Sequence, residues 1–334
     1  MTPLLQLKGL TKRYVNEPDT AEKIANMLGA NYKETVVRAV SGVDLEIQPG
    51  EVLGLVGESG CGKSTLGRMV AGVERATSGD ILYNGTAIAD MTTAQRRRYD
   101  LDVQMIFQDP FASLNPRLRV EKIVGEAPVA HGLIKASDRR DYVANLMEKV
   151  GLGPDYMQRY PHQFSGGQRQ RIGIARALAV KPKLIVCDEA ISALDVSIQA
   201  QILNLFMDLK DEFQLTYLFI SHDLGAVEHI SDRIAIMYLG RVVEMGKSEN
   251  IFAGPIHPYT TALLEEAPRL DRRKQEFAPI KGEIPSPLNP PPGCTFHPRC
   301  PLAVQACREQ VPVLESHPDG RVAACLVRQP AEVE

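Results

Sequence analysis

Apolar and polar residues alternate in short stretches over about the first 50 residues, as in LLQLKGL and VDLEI. This alternation predicts antiparallel strands. The pattern breaks between residues 16 and 34, where AEKIANMLG places Ile24, Met27 and Leu28 on one helical face. Gly29 then stands where a helix C-cap would lie. We therefore expect a short helical insertion in this segment, with a flexible loop as the alternative.

Three compact apolar runs have the length and composition of buried strands. They are EVLGLVG (51–57), KLIVCDE (183–189) and LTYLFISH (215–222), and each is followed by a segment with helical periodicity. DVQMIF (102–107) indicates another strand, and residues from about 112 to 180 are mostly helical in pattern. Strands that alternate with helices predict a mainly parallel sheet with helices on both faces.

Two hairpins are predicted from their turn residues. In ILYNGTAI (81–88), Asn84 and Gly85 lie between alternating apolar residues, which favours a type I′ turn. RIAIMYLGRVVEMG (233–246) is typical of a closing hairpin around Gly240.

Composition narrows the class of protein. The chain has 334 residues, of which 44% are apolar and 24% charged, and its net charge is −3. These values are ordinary for a globular protein and give no electrostatic case for a nucleic-acid partner. No apolar run reaches the ~18–20 residues needed to cross a bilayer, and the N-terminus is too interrupted by charge for a secretory signal. We therefore expect a protein of the cytoplasm, where thiols are kept reduced.

A glycine-rich turn follows the first buried strand. GESGCGKST (57–65), called the P-loop below, matches the pattern G-x-x-x-x-G-K-[ST]. Glycines allow successive backbone N–H groups to surround phosphate oxygens, and the helix that follows adds its positive N-terminus. Lys63 would contact the outer phosphates and Ser64 would ligate Mg²⁺. The alternative is a glycine turn with a surface lysine. The predicted nucleotide-binding residues of this loop are Gly57, Glu58, Ser59, Gly60, Cys61, Gly62, Lys63, Ser64 and Thr65.

A second buried strand, LIVCDE, ends in two adjacent acids. In P-loop enzymes an acid at such a strand end completes the Mg²⁺ shell, a role that falls to Asp188 here. The next acid, Glu189, is placed to polarise an attacking water. Alone this pattern is weak, but together with the P-loop it predicts a nucleotide hydrolase.

A further segment, QFSGGQRQRIGIARALA (163–179), indicates which class of nucleotide-binding enzyme this is. It places a second phosphate-binding helix N-terminus at Ser165, Gly166, Gly167 and Gln168. One site does not need two such N-termini unless the second serves a neighbouring subunit. Here the chain resembles the ATP-binding subunits of ABC transporters, whose LSGGQ signature it carries with Phe164 in place of leucine. The resemblance implies a head-to-tail pair in which each signature loop closes over the ATP bound by its partner.

Other positions match that family one by one. Gln108 resembles the Q-loop glutamine, which contacts Mg²⁺ and water and senses the membrane subunits. His222 resembles the switch histidine that reaches the γ-phosphate, and SALD (192–195) resembles the D-loop at the dimer interface. Tyr14 is the candidate aromatic platform for adenine, with Tyr32 as a rival and a core tyrosine as the structural alternative.

One departure from the family pattern lies beside the catalytic acid. The family usually has D-E-P-T-S-A-L-D, whereas this chain has DEAISALD, with Ala190 and Ile191. Because Glu189 is kept, we expect hydrolysis to remain possible. Loss of the proline is expected to loosen the turn before the D-loop.

Three stretches resemble the subunits that energise dipeptide and oligopeptide importers: QDPFASLNPR (108–117), ALDVSIQAQILNL (193–205) and HPYTTALL (257–264). That group also includes nickel, glutathione and oligosaccharide systems. The resemblance implies ATP and Mg²⁺, a second ATPase subunit (we favour a heterodimer), two transmembrane permeases and an extracytoplasmic solute-binding protein. It implies a peripheral location on the cytoplasmic face of the membrane. The alternative is a soluble ABC ATPase of DNA repair, chromosome structure or translation, which would typically show tandem domains, coiled-coil arms or basic surfaces.

Four of the six cysteines lie near the C-terminus with the spacing C-x5-C-x6-C-x17-C. Zinc ribbons normally show C-x2-C pairs, whereas an iron–sulfur cluster takes four cysteines without a fixed local motif. The importer subunits that this chain resembles can carry a [4Fe–4S] cluster at such a tail, so we expect one here, with zinc or metal-free thiols as alternatives. The expected ligands are Cys294, Cys300, Cys307 and Cys325.

The sequence divides into an ABC nucleotide-binding domain (1–250), with a helical subdomain at about 112–180, and a C-terminal extension (251–334). PSPLNPPPG (285–293) has five prolines in nine residues and predicts an extended spacer ahead of the cysteines. We expect the cysteine-bearing tail to be an appendage outside the nucleotide machinery, a structural or redox-sensitive brace. Its distance from the P-loop argues against a direct role in hydrolysis. The expected fold is an α/β P-loop ATPase with an antiparallel β subdomain, a helical subdomain and this extension.

Overall fold

Two sheets organise the chain in the computed structural model, which describes residues 2–18, 20–28, 31, 33–266 and 282–328. The strands are β1 (Leu5–Asn16), β2 (Thr35–Ile47), β3 (Val52–Val56), β4 (Ser78–Tyr83), β5 (Thr86–Ala87), β6 (Val103–Ile106), β7 (Leu184–Asp188), β8 (Thr216–Ser221), β9 (Arg233–Tyr238), β10 (Arg241–Lys247), β11 (Glu315–Ser316) and β12 (Val322–Ala323). The smaller sheet has the order β2-β1-β4-β5 and the larger one β11-β12-β10-β9-β3-β8-β7-β6.

Helices connect these strands and cover the larger sheet. They are α1 (Thr20–Met27), α2 (Lys63–Val70), α3 (Thr93–Asp102), α4 (Val120–Ala130), α5 (Arg139–Lys149), α6 (Gly166–Leu178), α7 (Val196–Phe213), α8 (Leu224–Ile230), α9 (Ser248–Ala253), α10 (Pro258–Glu266) and α11 (Gln305–Glu309). The predicted helical region at 112–180 is confirmed by α4, α5 and α6, with short 3₁₀ turns between them.

The centre of the larger sheet is parallel, as predicted. β3 pairs with β8 and β9, and β7 pairs with β8 and β6, all in parallel. Every residue of β3, β7 and β8 is buried, because helices cover both faces of a parallel sheet. The carboxyl ends of these strands therefore meet along one edge, where ligands bind in open α/β sheets.

The predicted antiparallel elements are also present. β1 and β2 pair antiparallel from Leu5 opposite Ile47 to Asn16 opposite Thr35. Asn84 (φ 49°) and Gly85 (φ 80°) both have positive φ between β4 and β5, as a type I′ turn requires. The insertion contains the predicted helix, α1, whereas its proposed C-cap, Gly29, lies outside the described residues.

The hairpin of β9 and β10 does not close the sheet. β10 pairs on its other side with β12 of the C-terminal extension, with Glu244 opposite Ala323. The proline segment 285–293 forms neither helix nor strand, as predicted. Beyond it, Phe296 is 1% exposed and packs against Tyr238 and Tyr259. The expectation of an appendage outside the nucleotide machinery is therefore wrong: the extension shares the sheet and the core.

None of the helices in the described ranges combines the length and apolarity that a membrane crossing requires.

His257 caps α10 from a buried position. The helix begins with Pro258, whose fixed φ suits the first helical position, and His257 Nδ1 accepts a hydrogen bond from Tyr259 N at 3.0 Å. The side chain is 1% exposed, and burial, together with the nearby positive charge of Arg328, lowers the pKa of His257 to about 3. This histidine therefore has a structural role at the start of the helix.

Replacing His257 with Asn is expected to make the free energy of unfolding less dependent on pH in mildly acidic solution. In the unfolded chain a histidine has a pKa of ~6.5, so below that pH the unfolded state binds a proton at His257. The folded state does not bind this proton until the pH is much lower. As the pH falls from about 6.5 towards 5, the parent should therefore lose more stability than His257→Asn, with a slope difference that rises to about 1.4 kcal/mol per pH unit. Asn keeps a cap acceptor and cannot titrate. Urea unfolding at pH 7, 6 and 5 measures both slopes, and parallel slopes would contradict the prediction.

Candidate functional site

The P-loop joins β3 to α2 and lies at the carboxyl edge of the larger sheet. Gly62 has φ 107°, and a Cβ there would lie 2.1 Å from the carbonyl oxygen of Ala39, so the turn admits only glycine. Lys63 is buried, and its Nζ donates to the carbonyl oxygens of Gly57 (2.7 Å) and Glu58 (3.0 Å). The loop therefore presents a helix N-terminus and an ammonium group together, a combination that binds anions.

Two oxygen donors lie next to each other beside the P-loop. Ser64 Oγ donates to Asp188 Oδ1 at 2.7 Å, which joins the first turn of α2 to the end of β7. Asp188 is 1% exposed; burial raises its pKa, and the hydrogen bond from Ser64 offsets only part of this shift. A hydroxyl and a carboxylate are ligands that suit Mg²⁺, so these residues fit the predicted role.

Three predicted catalytic side chains meet at the same edge. Gln108 Nε2 donates to Glu189 Oε2 at 2.7 Å, and His222 Nδ1 lies 3.5 Å from Glu189 Oε1. Glu189 itself has φ 47°, a left-handed conformation that is uncommon for a non-glycine residue. Strained backbone of this kind is concentrated at functional sites. At the ends of β6, β7 and β8, the carboxylate of Glu189 is thus a candidate general base, with the amide of Gln108 and the imidazole of His222 beside it.

The signature segment begins α6 with a reciprocal cap. Ser165 Oγ accepts a hydrogen bond from Gln168 N at 3.4 Å, and Gln168 Oε1 accepts one from Ser165 N at 3.1 Å. Ser165 is exposed, Gly166 and Gly167 are half-buried, and Phe164 is anchored in the core. The first turn of α6 is therefore at the surface, while the residue before its cap is fixed in the core.

The turn between Glu189 and the D-loop is held without the family proline. Ser192 donates to the carbonyl oxygen of Glu189 from its N (3.1 Å) and its Oγ (2.9 Å). Gln199 Nε2 donates to the carbonyl oxygen of Ile191 at 3.1 Å. Ala190 and Ile191 are both buried in the core. These contacts oppose the loosening that loss of the proline would cause.

Tyr14 lies on β1 with 39% of its surface exposed, and Lys12 Nζ is 4.8 Å from its ring centroid. The alternative of a core tyrosine is therefore wrong, and an exposed ring suits a stacking platform. The rival Tyr32 lies outside the described residues.

One group of contacts at the P-loop has no local signal in the sequence. Arg299 of the C-terminal extension forms a two-point ion pair with Glu58, and Glu58 N donates to Tyr259 Oη. The expectation that distance separates the cysteine-bearing tail from the P-loop is wrong. Glu58 lies 241 positions from Arg299 along the chain, so no periodicity or short motif could connect them.

The four tail cysteines lie near one another but not as ligands of one ion. Cys294 N donates to the carbonyl oxygen of Cys307 at 2.8 Å. Burial, followed by the charges of the other three tail cysteines, raises the pKa of the Cys294 thiol to about 11. Among the described residues, no group of three or more His, Cys, Asp or Glu side chains is arranged to hold a metal ion.

Comparison with known proteins identifies the family. The ABC transporter family matches residues 40–192, and the C-terminal region of oligopeptide/dipeptide transporters matches residues 243–307. A dipeptide transport ATP-binding protein of Haemophilus influenzae is 47% identical over 97% of this chain and 97% of its own length. The chain belongs to the ATP-binding proteins of ABC transporters.

Further matches agree with this family. An oligopeptide transport ATP-binding protein of Salmonella typhimurium is 50% identical over 84% of this chain and 85% of its own length. A solved ATP-binding cassette dimer with ADP and Pi superimposes with a TM-score of 0.61 at 27% identity, covering 73% of this chain and 98% of the cassette. This ABC protein therefore binds ATP and is an ATP hydrolase coupled to transport, and the predicted P-loop ATPase fold is confirmed.

Proposed function

We propose that this ABC protein powers the uptake of dipeptides or oligopeptides through an ABC importer. The observation that carries the proposal is the oligopeptide/dipeptide transporter C-terminal region at residues 243–307, which is separate from the ATPase motifs shared by all ABC proteins. The relatives named for dipeptide and oligopeptide transport support it over most of the chain. Nickel, glutathione and oligosaccharide are the alternative substrates. A soluble ABC ATPase would not require this region.

The nucleotide site follows from the contacts of its residues. The P-loop (57–65) would surround the phosphates, with Lys63 turning from its own loop carbonyls to the outer phosphates. Ser64, Asp188 and Gln108 would hold Mg²⁺, which supplies positive charge against the phosphate oxygens. Tyr14 would stack on adenine.

Hydrolysis is assigned to the cluster at the strand ends. Glu189 would accept the proton of the attacking water, and His222 would contact the γ-phosphate beside it. Gln108, which donates to Glu189 at 2.7 Å, would orient that carboxylate. The signature residues 165–168 would reach the ATP of a partner, because two such chains pair head to tail in the proposed assembly.

The proposed assembly contains a second ABC ATPase subunit, two transmembrane permeases and an extracytoplasmic solute-binding protein. We favour a heterodimer of related ATPases. The chain would lie peripherally on the cytoplasmic face of the membrane, with no nucleic acid as partner. As sequence units we retain a nucleotide-binding domain at 1–250, including a helical subdomain at about 112–180, and an extension at 251–334.

Transport by the complete complex tests the function. The chain is expressed together with the second ATPase, the permeases and the binding protein of its proposed complex, in a host that lacks peptide importers and requires one amino acid. Growth on a dipeptide that contains this amino acid is expected to return with the parent chain and not with Glu189→Gln, while the free amino acid supports both. Uptake of labelled nickel, glutathione or an oligosaccharide in place of the peptide would overturn the substrate assignment. Growth that is independent of the chain would overturn the transport role.

We also propose that the tail holds a [4Fe–4S] cluster, with Cys294, Cys300, Cys307 and Cys325 as ligands. One tetrahedral zinc ion needs sulfurs about 2.3 Å from a single centre, hence within about 4.6 Å of one another. An iron–sulfur cluster takes four cysteine thiolates without a fixed local motif, which suits the irregular spacing of these four cysteines. Two of them lie side by side, since Cys294 N donates to the carbonyl oxygen of Cys307 at 2.8 Å.

Anaerobic purification of the full-length chain tests the cluster. About four iron and four sulfide ions per chain are expected, with a brown colour. Cys300→Ser should lose most of the iron, whereas Cys61→Ser, at a thiol outside the tail, should keep it. Colourless, iron-free protein would contradict the proposal, and so would one zinc per chain.

A further inference from the structure

Arg299 points both ends of its guanidinium group at the P-loop. Its Nη1 lies 2.8 Å from Glu58 Oε2 and its Nη2 lies 2.9 Å from Glu58 Oε1. The Arg299 side chain is 4% exposed and the Glu58 side chain 16%. A two-point pair of this kind fixes direction as well as distance, and it is poorly screened by solvent when buried. The extension therefore determines where the Glu58 side chain can lie.

The backbone of Glu58 carries that constraint into the phosphate-binding loop. Its N–H donates to Tyr259 Oη at 2.9 Å, and its carbonyl oxygen accepts from Lys63 Nζ at 3.0 Å. The same carbonyl accepts from Cys61 N at 3.3 Å. Glu58 thus connects the extension on one side to the phosphate-binding lysine on the other.

Arg299 is itself held by rigid surroundings. It lies in a short turn between two of the tail cysteines, in which Arg299 N donates to Phe296 O at 3.0 Å and His297 N donates to Cys294 O at 3.0 Å. Phe296 is buried, and its ring centroid lies 5.3 Å from that of Tyr238 and 5.4 Å from that of Tyr259. A side chain supported in this way can hold a partner in one position, which a solvent-exposed arginine could not do.

We propose that Arg299 is a positioning residue for nucleotide binding: acting through Glu58, it holds the P-loop in the conformation that accepts the phosphates of ATP. The inference rests on the proposed function only in that the chain binds MgATP; it needs no particular transported substrate. Arg299 touches the loop and not the reacting atoms. Its loss should therefore weaken the binding of ATP equally in the ground state and in the transition state. Such a change raises KM and leaves kcat nearly unchanged.

A purely structural ion pair would behave differently, and the chain offers one for comparison. Arg233 Nη1 lies 3.1 and 3.3 Å from the two carboxylate oxygens of Glu51. Arg233 begins β9 and Glu51 precedes β3, so this pair lies at the amino edge of the sheet, opposite the P-loop. Loss of either arginine removes a partly buried ion pair between the same two residue types, but only Arg299 contacts the nucleotide loop.

The experiment measures the affinity of the full-length chain for a fluorescent ATP analogue with Mg²⁺, together with the melting temperature. Arg299→Gln is expected to raise Kd about tenfold, whereas Arg233→Gln should leave it within about twofold, although both lower the melting temperature. In the transporter complex, Arg299→Gln should raise KM for ATP by a similar factor with kcat within about twofold. An unchanged Kd for Arg299→Gln, or equal changes in both variants, overturns the proposal.

A double-mutant cycle tests the route through Glu58. Glu58→Gln alone should raise Kd, and adding Arg299→Gln to it should raise Kd little further, because the contact is already lost. If the two substitutions raise Kd by factors that multiply in the double variant, Arg299 acts by a route other than Glu58 and the inference is overturned. If Arg299→Gln does not fold, Arg299→Lys keeps the charge without the two-point geometry and should give an intermediate Kd; parent affinity in that variant counts against the proposal. Normal nucleotide affinity in the parent with no peptide uptake would instead reject the transport role.

Discussion

Glu189→Gln is expected to lower ATP turnover by a factor of about 10²–10⁴ while the Kd for MgATP stays within about threefold of the parent. Glutamine has the shape of glutamate but cannot accept the proton of the attacking water. The geometry around it can persist, because Gln108 Nε2, now 2.7 Å from a carboxylate oxygen, can donate equally to an amide oxygen. The left-handed backbone at this position is also unaffected, since its N–H donates to the carbonyl oxygen of Ile220 at 2.9 Å.

Two measurements separate this result from simple unfolding. Glu212→Gln makes the same chemical change at a half-exposed position on α7 and should hydrolyse ATP at the parent rate. Glu189→Gln should bind MgATP with nearly the parent Kd and keep it unhydrolysed, because its phosphate-binding contacts at the P-loop are unchanged. Turnover at the parent rate in Glu189→Gln would show that another group is the base.

Local patterns were sufficient for the elements that make the nucleotide site. A buried apolar strand followed by a glycine turn and a helix can pack in few ways, so β3, the P-loop and α2 could be predicted together. Asp188 was assigned from its place at a strand end, whereas Gln108 and His222 were assigned from the resemblance to the ABC family. All three lie at one edge of the sheet because parallel strands bring their carboxyl ends together. The same reasoning could not decide the environment of Tyr14, because a strand residue faces core or solvent according to what packs on it.

Pairings between distant charged residues could not be predicted. Glu58 and Arg299 are of residue types that usually lie in solvent, and their burial follows from the way the extension folds back onto the sheet. The proline segment suggested separation because it excludes helix and central strand, but it says nothing about where the chain goes next. The pairing of β12 with β10 involves two residues on each strand, too short a run for any periodicity.

Glu244 is a second buried charge that the sequence did not reveal. It is fully buried on β10, and its two carboxylate oxygens each accept one backbone N–H at 2.8 Å, from Ile256 and His257. Arg321 of the extension lies 3.9 Å away and also donates to the carbonyl oxygen of Asn250 at 3.1 Å. One carboxylate therefore joins the sheet, the turn that starts α10 and the extension.

Glu244→Ala is expected to lower the free energy of unfolding by about 3–5 kcal/mol, because it leaves two buried N–H groups and the Arg321 charge without their partner. Glu244→Gln should cost less, about 2 kcal/mol, since one amide oxygen can still accept from one of the two N–H groups. Glu249→Ala is the matched control: it lies five positions further on, is 75% exposed, and should change stability by less than about 0.5 kcal/mol. Urea unfolding of the full-length chain measures all three. A loss in Glu244→Ala no larger than in Glu249→Ala would show that the turn before α10 and the extension are held on the sheet by apolar packing, with the carboxylate contributing nothing.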